Sequence, residues 1–459
     1  MHLGPEYYGV AHRPHPEGSL SSGGFGAARA TGLRNAVRLK HEMSETTPSF
    51  TTQRLAWRDT SLGVITLANG NRMRLTLGLG SGLSQRPGDP TGTVWAIADR
   101  GPNLKIKPAV KRYGLEHLRP LAKVDGAKIM PRPDVGPTIC QIRLHANAVK
   151  LVRRIPLRGV SGRAISGLPI PAGVADVEPA FDLKGGALGT DPSGADTEAI
   201  VALSDGTFWV GDEYGPSLLH VGPEGDVLQR WVPKGLEKPL KGADYVVKGV
   251  LPAIALRRRI NRGFEALAVS PDERWLYAVF QSPLAHPGAA AFKHGRHVRI
   301  WKIDAKTGAV AAQFLYPLDE PATFQRDQKA GDVELTDIKV SEATAIGLDR
   351  LLILERISRT TKIYRVELAP RFAIPAAHMD NRTRPTLEQS SAARDAIDDV
   401  PVLAKTLVLS TDNAPELDRD LEGMVVLSPH ELLLVNDNDF SVEGARTRFW
   451  RIRLKKPMF

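Results

Sequence analysis

Four segments of the sequence repeat one order of residues: a glutamate and a small residue, an apolar stretch, a tight turn, a second apolar stretch, then a polar or acidic cluster. Asp196-Thr197-Glu198-Ala199 runs through IVAL and Ser204-Asp205-Gly206 to Asp212-Glu213-Tyr214-Gly215-Pro216. Gly263-Phe264-Glu265-Ala266 runs through LAV and Ser270-Pro271-Asp272-Glu273 to Gln281-Ser282-Pro283. Ser341-Glu342-Ala343 leads to Glu355-Arg356, and Asp420-Leu421-Glu422-Gly423 leads to Asn436-Asp437-Asn438-Asp439. A fifth, divergent copy starts at Ser81-Gly82-Leu83, lacks the glutamate and ends in Asp99-Arg100-Gly101-Pro102-Asn103.

Carboxylates gathered without cysteine or clustered histidine are hard oxygen donors, suited to Ca²⁺ and less naturally to Mg²⁺ or Mn²⁺. The expected metal ligands are Asp99, Glu198, Asp212, Glu265, Glu342, Glu355, Glu422 and Asp437. Glu198, Asp212 and Glu213 are the expected catalytic carboxylates, and Arg100, Tyr214 and Arg356 the expected substrate contacts. The competing structural reading is that each repeated glutamate caps backbone N–H groups of a neighbouring repeat. Gln281 stands where other copies end in an acid, which weakens that copy as a source of ligands.

The elements that must carry these residues are hairpins. Short apolar strands broken by Asp-Gly or Pro-containing turns are hairpin signals. A hairpin copied every 65 to 115 residues or so signals a radial repeat. The expected fold is therefore all-β, a β-propeller with five countable repeat hairpins and six blades in total, interrupted by long loop insertions. HVRIWKID and VAAQFLYPL, TKIYRVEL and VLAKTLVLS, and FWRIRL read as outer strands, while LGVITLANG and RMRLTLGLG pair with the last blade or complete a sixth. In an antiparallel hairpin the residues opening the first strand and closing the second lie at one end. Each blade should then deliver acids to one rim, where inner strands would form a carboxylate ring at the central channel. Residues 51–459 are read as this single domain, and 1–50, rich in Gly, Ser, Pro and His, as a disordered leader without the pattern of a secretory signal. Leu104 to Pro137 and Arg371 to Val400 are the long insertions, and a helix is expected around Ala253 to Ile260.

Composition narrows the classes. The 459 residues are 42% hydrophobic and 24% charged, globular values, with 42 Gly and 34 Pro to supply turns. No apolar run approaches the ~18 residues needed to cross a bilayer, so a soluble protein is expected. Lys and Arg outnumber Asp and Glu by 61 to 51. These basic residues are spread along the chain without interleaved aromatics, which argues against nucleic acid. Arg257-Arg258-Arg259 with Arg262 is read as a solvated helix face. Cys140 is the only cysteine, which excludes an internal disulfide and a Cys-based zinc site. Gly159-Val160-Ser161-Gly162-Arg163 fails the nucleophile-elbow pattern at its last position, and His286, His294 and His297 read as loop residues rather than a zinc site.

Taken together, SGL…ADRGPN, DTEAI…GDEYGP, GFEALAVSPDERWLYAVFQSP, EATAI…LERISR and LEGMVV…VNDND resemble the phytase-like propellers said to have esterase-like activity of phytase, over roughly residues 75 to 455. The resemblance implies a bacterial, often exported, metal-dependent phosphoester hydrolase with the repeated Glu and Asp as its active groups. Its substrate would be a small anionic, phosphorylated molecule. Calcium in the ring would polarise the phosphate and a water, and Glu213 is the expected general base. The competing readings are a calcium-dependent lactonase or carboxylesterase propeller, and a non-catalytic propeller that holds calcium for rigidity while binding a ligand or protein.

Overall fold

Alternating apolar strands rich in Val, Ile, Leu and Trp bury both faces only if sheets stack against one another, and the computed structural model solves this radially. It describes residues 49–173, 176–380, 382–393 and 400–459. Five sheets of four or five strands follow in chain order, and we number them as blades 1 to 5. Blade 1 comprises Gly82–Ser84, Thr93–Ala98, Thr138–Leu144 and Val149–Pro156. Blade 2 comprises Thr197–Ala202, Phe208–Asp212, Ser217–Val221 and Val227–Pro233, with Val246–Leu251 added in parallel at its outer edge. Blade 3 comprises Phe264–Val269, Trp275–Phe280, His297–Asp304 and Val310–Pro317. Blade 4 comprises Lys339–Gly347, Arg350–Arg356, Thr361–Glu367 and Lys405–Ser410. Blade 5 comprises Leu421–Ser428, Glu431–Asn436, Phe449–Leu454 and, from the other end of the chain, Phe50–Leu55.

In every blade the repeat hairpin is innermost, and each inner strand packs on the inner strands of the blades before and after it, so that five of them close a ring. The strands line a narrow channel of about 110 Å³, with Ile200, Leu267, Ala343 and Val425 as well as Ser84 and Thr344 among its walls. The propeller is thus the expected one, but the described residues form five blades where six are expected from the sequence. The reason lies in pairing. Ser61–Thr66 pairs only with Arg72–Thr76, as a separate hairpin, and neither joins a blade. The strand that completes blade 5 is Phe50–Leu55, antiparallel to Phe449–Leu454 from Phe50↔Leu454 to Leu55↔Phe449. Pairing a strand from before blade 1 with the last strand of blade 5 in one sheet closes the circle. Phe50 therefore belongs to the propeller, and the rest of the expected leader, up to residue 48, lies outside the described residues.

The insertions are ordered more than their composition suggests. Residues 104–137 contain the helix Ile106–Tyr113, the 3₁₀ helix Glu116–Lys123 and two short strands, and they bury Ile106, Ala109, Leu118 and Ile129. In the second insertion Pro370–Phe372 and Ala376–His378 are 3₁₀ turns and Leu387–Ala393 is a helix, while 381 and 394–399 lie outside the described residues. The expected helix around Ala253 to Ile260 is only a 3₁₀ turn, Ala253–Arg257, opened by Pro252. Among the described residues no helix is long and apolar enough to cross a membrane.

Candidate metal centre

Three of the repeated glutamates leave the ladder at the same place. In blade 2 the register runs Thr197↔Asp212 then Ala199↔Gly211, so Glu198 is the extra residue of a β-bulge. Glu265 is skipped in the same way between Phe264↔Phe280 and Ala266↔Val279, and Glu422 between Leu421↔Asn436 and Gly423↔Val435. A bulge re-aims the residue it leaves unpaired, here toward the mouth of the channel. Carboxylate oxygens of Glu198, Glu265 and Glu422 all lie within 4.8 Å of one another. Those of Asp99, Asp196 and Glu198 form a second such triad, so Glu198 is common to both.

Blade 4 differs by one residue. Its bulge falls on Ser341, between Val340↔Glu355 and Glu342↔Leu354, which keeps Glu342 in the ladder. Glu342 is fully buried and accepts from Leu83 N of blade 1 at 2.9 Å, from Ala343 N at 3.0 Å and from Met424 N of blade 5 at 3.5 Å. It caps inner-strand N–H groups, and it joins neither triad. Expected as a metal ligand, it instead fills the structural role weighed against that reading.

The closing ends of the second strands obey the period of two. The residue just past each strand in blades 1, 2, 3 and 5, namely Asp99, Glu213, Gln281 and Asp437, turns to the mouth. Glu213 acts electrostatically on Glu198 and Glu265, Gln281 donates its amide to Glu265, and Asp437 lies in the fields of Glu422 and Asp99. In blade 4 the residue equivalent by register is Arg356, the last of its strand, which pairs with Glu422. The residue one earlier turns into the blade. Asp212 is paired with Arg230, accepts from Ser217 Oγ at 2.6 Å and from Asp196 N at 2.7 Å, and is wholly buried. Glu355 accepts from Tyr316 Oη, Asp319 N and Lys405 Nζ, each at 2.7 Å. Asp212 and Glu355, both expected at the metal, are therefore held inside their sheets by alternation.

The arginines also differ from expectation. Arg100 is 4% exposed and directs its guanidinium to Glu178 at 2.5 Å, Asp196 at 2.6 Å, Tyr214 Oη at 3.1 Å and Asn261. Tyr214 Oη in turn donates a hydrogen bond to Gly167 O at 3.0 Å. Arg356 bonds Ser341 Oγ at 2.9 Å and Ile357 O at 3.0 Å besides Glu422. All three are committed to protein partners; they position acids rather than waiting for substrate. The cations that meet the mouth with partial exposure are Arg262, which donates to Gln281 Oε1 at 2.5 Å, and Lys339. Arg258 is buried and bonds Asp176 O at 3.1 Å, so the basic cluster is not a solvated helix face. Arg262, read from sequence as part of a solvated helix face, lies at the mouth instead, while Asp196, two residues before the repeated glutamate, and Lys339 are not singled out by any spacing.

Burial and mutual repulsion show in the titration of this mouth. Burial first, then neighbouring carboxylates, push Glu198 and Asp437 well above the usual carboxylate range. Burial does the same to Asp196 and Glu265 against the pull of nearby cations. Asp99 is pushed up to about 7 by burial, with Arg100 opposing. Burial and the nearby Arg356 and Arg262 lower the Lys339 amine to about 8. Close approach is purchased locally by glycine: a Cβ on Gly263 would lie 2.5 Å from Glu213 Cα, and Gly263 N donates to Glu213 Oε1 at 3.1 Å. Of the three histidines expected in a loop, His294 ends the short helix Ala289–His294 and His297 opens the strand His297–Asp304, and among the described residues none of the three enters a group of three ligating side chains.

The family model described as "Phytase-like: Esterase-like activity of phytase" matches residues 76–440, from just before the inner strand of blade 1 to just beyond Asp437. The chain belongs to the phytase-like family. A fungal relative of this phytase-like chain, an uncharacterized secreted protein of Arthroderma benhamiae, is 26% identical over 240 residues. That match covers 46% of this chain, and the chain spans only 44% of the relative's length. Among solved structures, a luciferin-regenerating enzyme aligns with 89% of the chain and 97% of its own at 10% identity and TM-score 0.33. Regucalcin of Agrobacterium tumefaciens, a calcium-binding protein, aligns over 88% and 98% at 12% identity and TM-score 0.31. A gluconolactonase of Xanthomonas campestris aligns over 69% and 68% at 11% identity and TM-score 0.27.

Proposed function

We propose that this phytase-like propeller is a divalent-cation-dependent hydrolase acting on a small phosphoester at the carboxylate-lined mouth of its channel. The observation that carries the reading is the pair of carboxylate triads joined by Glu198. Glu265 lies in one of them, 4% exposed, with Oε2 buried and without a hydrogen-bond partner. A buried carboxylate oxygen left open among other carboxylates is expensive unless a cation meets it. The donors are all oxygen, which fits Ca²⁺ best and admits Mg²⁺ or Mn²⁺.

Asp99, Asp196 and Glu198 would hold one cation, and Glu198, Glu265 and Glu422 a second. When bound, such ions supply positive charge that polarises a phosphoryl oxygen and makes water a better nucleophile. The chain's own groups do the rest. Arg262 and Lys339, half-buried at the rim, attract and orient the anionic substrate. Arg100, through Asp196, and Arg356, through Glu422, hold two of the ligating carboxylates in place. Gln281 steadies Glu265 in the same way. Glu213 reaches the mouth yet belongs to neither triad, and we assign it proton acceptance from the attacking water.

The test is turnover of phosphomonoesters, phosphodiesters and lactones before and after chelation, with cation content measured by mass spectrometry. Phosphoester turnover should vanish on chelation and return with Ca²⁺. Glu198→Gln should lower kcat/KM roughly 100-fold or more, as removal of a central electrostatic group does, and reduce bound cation. Full activity and full cation content in Glu198→Gln would refute the assignment, and cation-dependent turnover of lactones alone would replace the substrate class.

A further inference from the structure

Away from the carboxylate triads the molecule carries a basic cleft of about 710 Å³ between the hairpin Ser61–Thr66/Arg72–Thr76, the helix Ile106–Tyr113 and the loop after blade 5's second strand. Four arginines line it: Arg72, Arg74, Arg112 and Arg446. We infer that this cleft is a binding site for a small polyanion bearing several phosphoryl groups, separate from the carboxylate mouth.

Strand geometry sets the first row of donors. Along Arg72–Thr76, Met73 and Leu75 are buried at 0% and 1%, which turns Arg72, Arg74 and Thr76 to the opposite face. Alternate residues of a strand share a face about 7 Å apart along the backbone, so Arg72 and Arg74 put two guanidinium groups side by side on one wall of a cleft far larger than a single phosphate. Arg112 and Arg446 approach from the other walls. Gly444 makes room for Arg112: a Cβ there would fall 2.6 Å from Arg112 Nη2.

These arginines also lack the partners that others in the molecule have. Among the described residues none of the four is in an ion pair, whereas Arg100, Arg230, Arg299 and Arg356 each have a carboxylate. Asp59, the one acid in the lining, accepts from Trp57 Nε1 at 3.1 Å and Thr447 N at 3.2 Å. Guanidinium groups on several walls of one cleft, none of them taken by a carboxylate among the described residues, can give bidentate bonds to several phosphoryl groups of one multivalent anion.

The wall is held in shape. Asp439, Phe440 and Ser441 are three consecutive non-glycine residues with φ of 46°, 51° and 61°, a conformation that costs energy and persists only where surroundings impose it. Asn438 Nδ2 bonds Thr76 Oγ1 at 3.1 Å and Leu77 O at 3.2 Å, and Ser441 Oγ lies 2.6 Å from Thr76 Oγ1. Loop and hairpin thus form one built surface.

The experiment is calorimetric titration of tripolyphosphate into the full chain, stripped of cations and freed of chelator, with orthophosphate as the monovalent-site comparison. Tripolyphosphate should bind saturably and at least tenfold more tightly than orthophosphate. Arg72→Gln with Arg112→Gln should weaken it at least tenfold, and Arg446→Gln alone, on a separate wall, should weaken it measurably. Lys150→Gln with Lys306→Gln, which removes the same charge from exposed positions outside the cleft, should not, and neither should Glu198→Gln at the mouth. Equal loss in the lysine pair, no loss in either arginine variant, or an oligonucleotide that binds and is not displaced by tripolyphosphate would overturn the proposal. None of these readouts depends on turnover, so they stand apart from the fate of the proposed hydrolase.

Discussion

Asp212 and Glu198 sit at the same end of one hairpin, opposite strands of a single turn of chemistry, and have opposite fates. Asp212 is closed in by Arg230, Ser217 and the Asp196 N–H, so its charge is answered wholly within blade 2. Glu198 is thrust by a bulge among Asp99, Asp196, Glu265 and Glu422, where like charges crowd. The same contrast separates Glu355 and Glu342 from Glu265 and Glu422. A repeated glutamate in this propeller builds the fold when an intact ladder points it at donors and builds the mouth when a bulge frees it, while at the closing strand ends alternation alone decides which acid enters the blade and which faces the mouth. The distinction is one of direction, since all of these carboxylates lie close together in the repeat.

The comparison can be broken most forcefully at Arg230. Arg230→Met leaves the Asp212 carboxylate buried without its counter-charge, with only the Ser217 hydroxyl and Asp196 N–H to meet it, and should cost about 3–5 kcal/mol in urea unfolding while leaving bound cation unchanged in the protein that folds. Adding Asp212→Asn to it should restore part of the loss. A near-neutral Arg230→Met would mean that Asp212 is not a structural carboxylate.

Comparable in total, but spread over about three pH units, is the effect of pH on the cation-free protein. Asp99 holds its proton up to about 7 in the folded chain and to about 4 in the unfolded chain. The folded state therefore binds more protons across that window, and stability must fall as pH rises from about 4 through about 7, then level off for this group. A single such group contributes on the order of 1 kcal/mol per pH unit. Urea midpoints at pH 5, 6, 7 and 8 should decline in chelated protein and flatten with saturating Ca²⁺, because cation and proton compete for the same oxygens. A midpoint rising between pH 5 and 7 without cation contradicts the crowded mouth.

Smallest is Glu342→Gln, whose amide oxygen can still accept from Leu83 N and Met424 N. Stability should change by about 1 kcal/mol and phosphoester turnover should stay at the parent level. A large drop in cation content in this variant would place Glu342 with Glu198 after all.

Much of this was legible in advance. Glu198, Glu265 and Glu422 announce themselves by repetition, and the turns between apolar strands give the inner hairpins of all five blades. The outer strands HVRIWKID and FWRIRL also fall where expected. The sixth blade failed because a strand's pattern does not name its partner: RMRLTLGLG is a good strand that pairs only with its own neighbour, and FTTQRL, at the border of a polar leader, closes the ring. Asp212 and Glu355 were misplaced because being at one end of a hairpin does not fix the face, and a one-residue shift of register reverses it.

The sequence alone determines that strands of period two form a radial repeat carrying carboxylates at hairpin ends, since hydrophobic alternation, turn residues and repetition are local properties written in order along the chain. Only the tertiary structure decides which carboxylates meet. Ring closure sets which inner strands are neighbours, and bulge position sets which side chains leave the ladder. Both depend on contacts between residues hundreds of positions apart, such as Leu83 with Glu342, that no local pattern encodes.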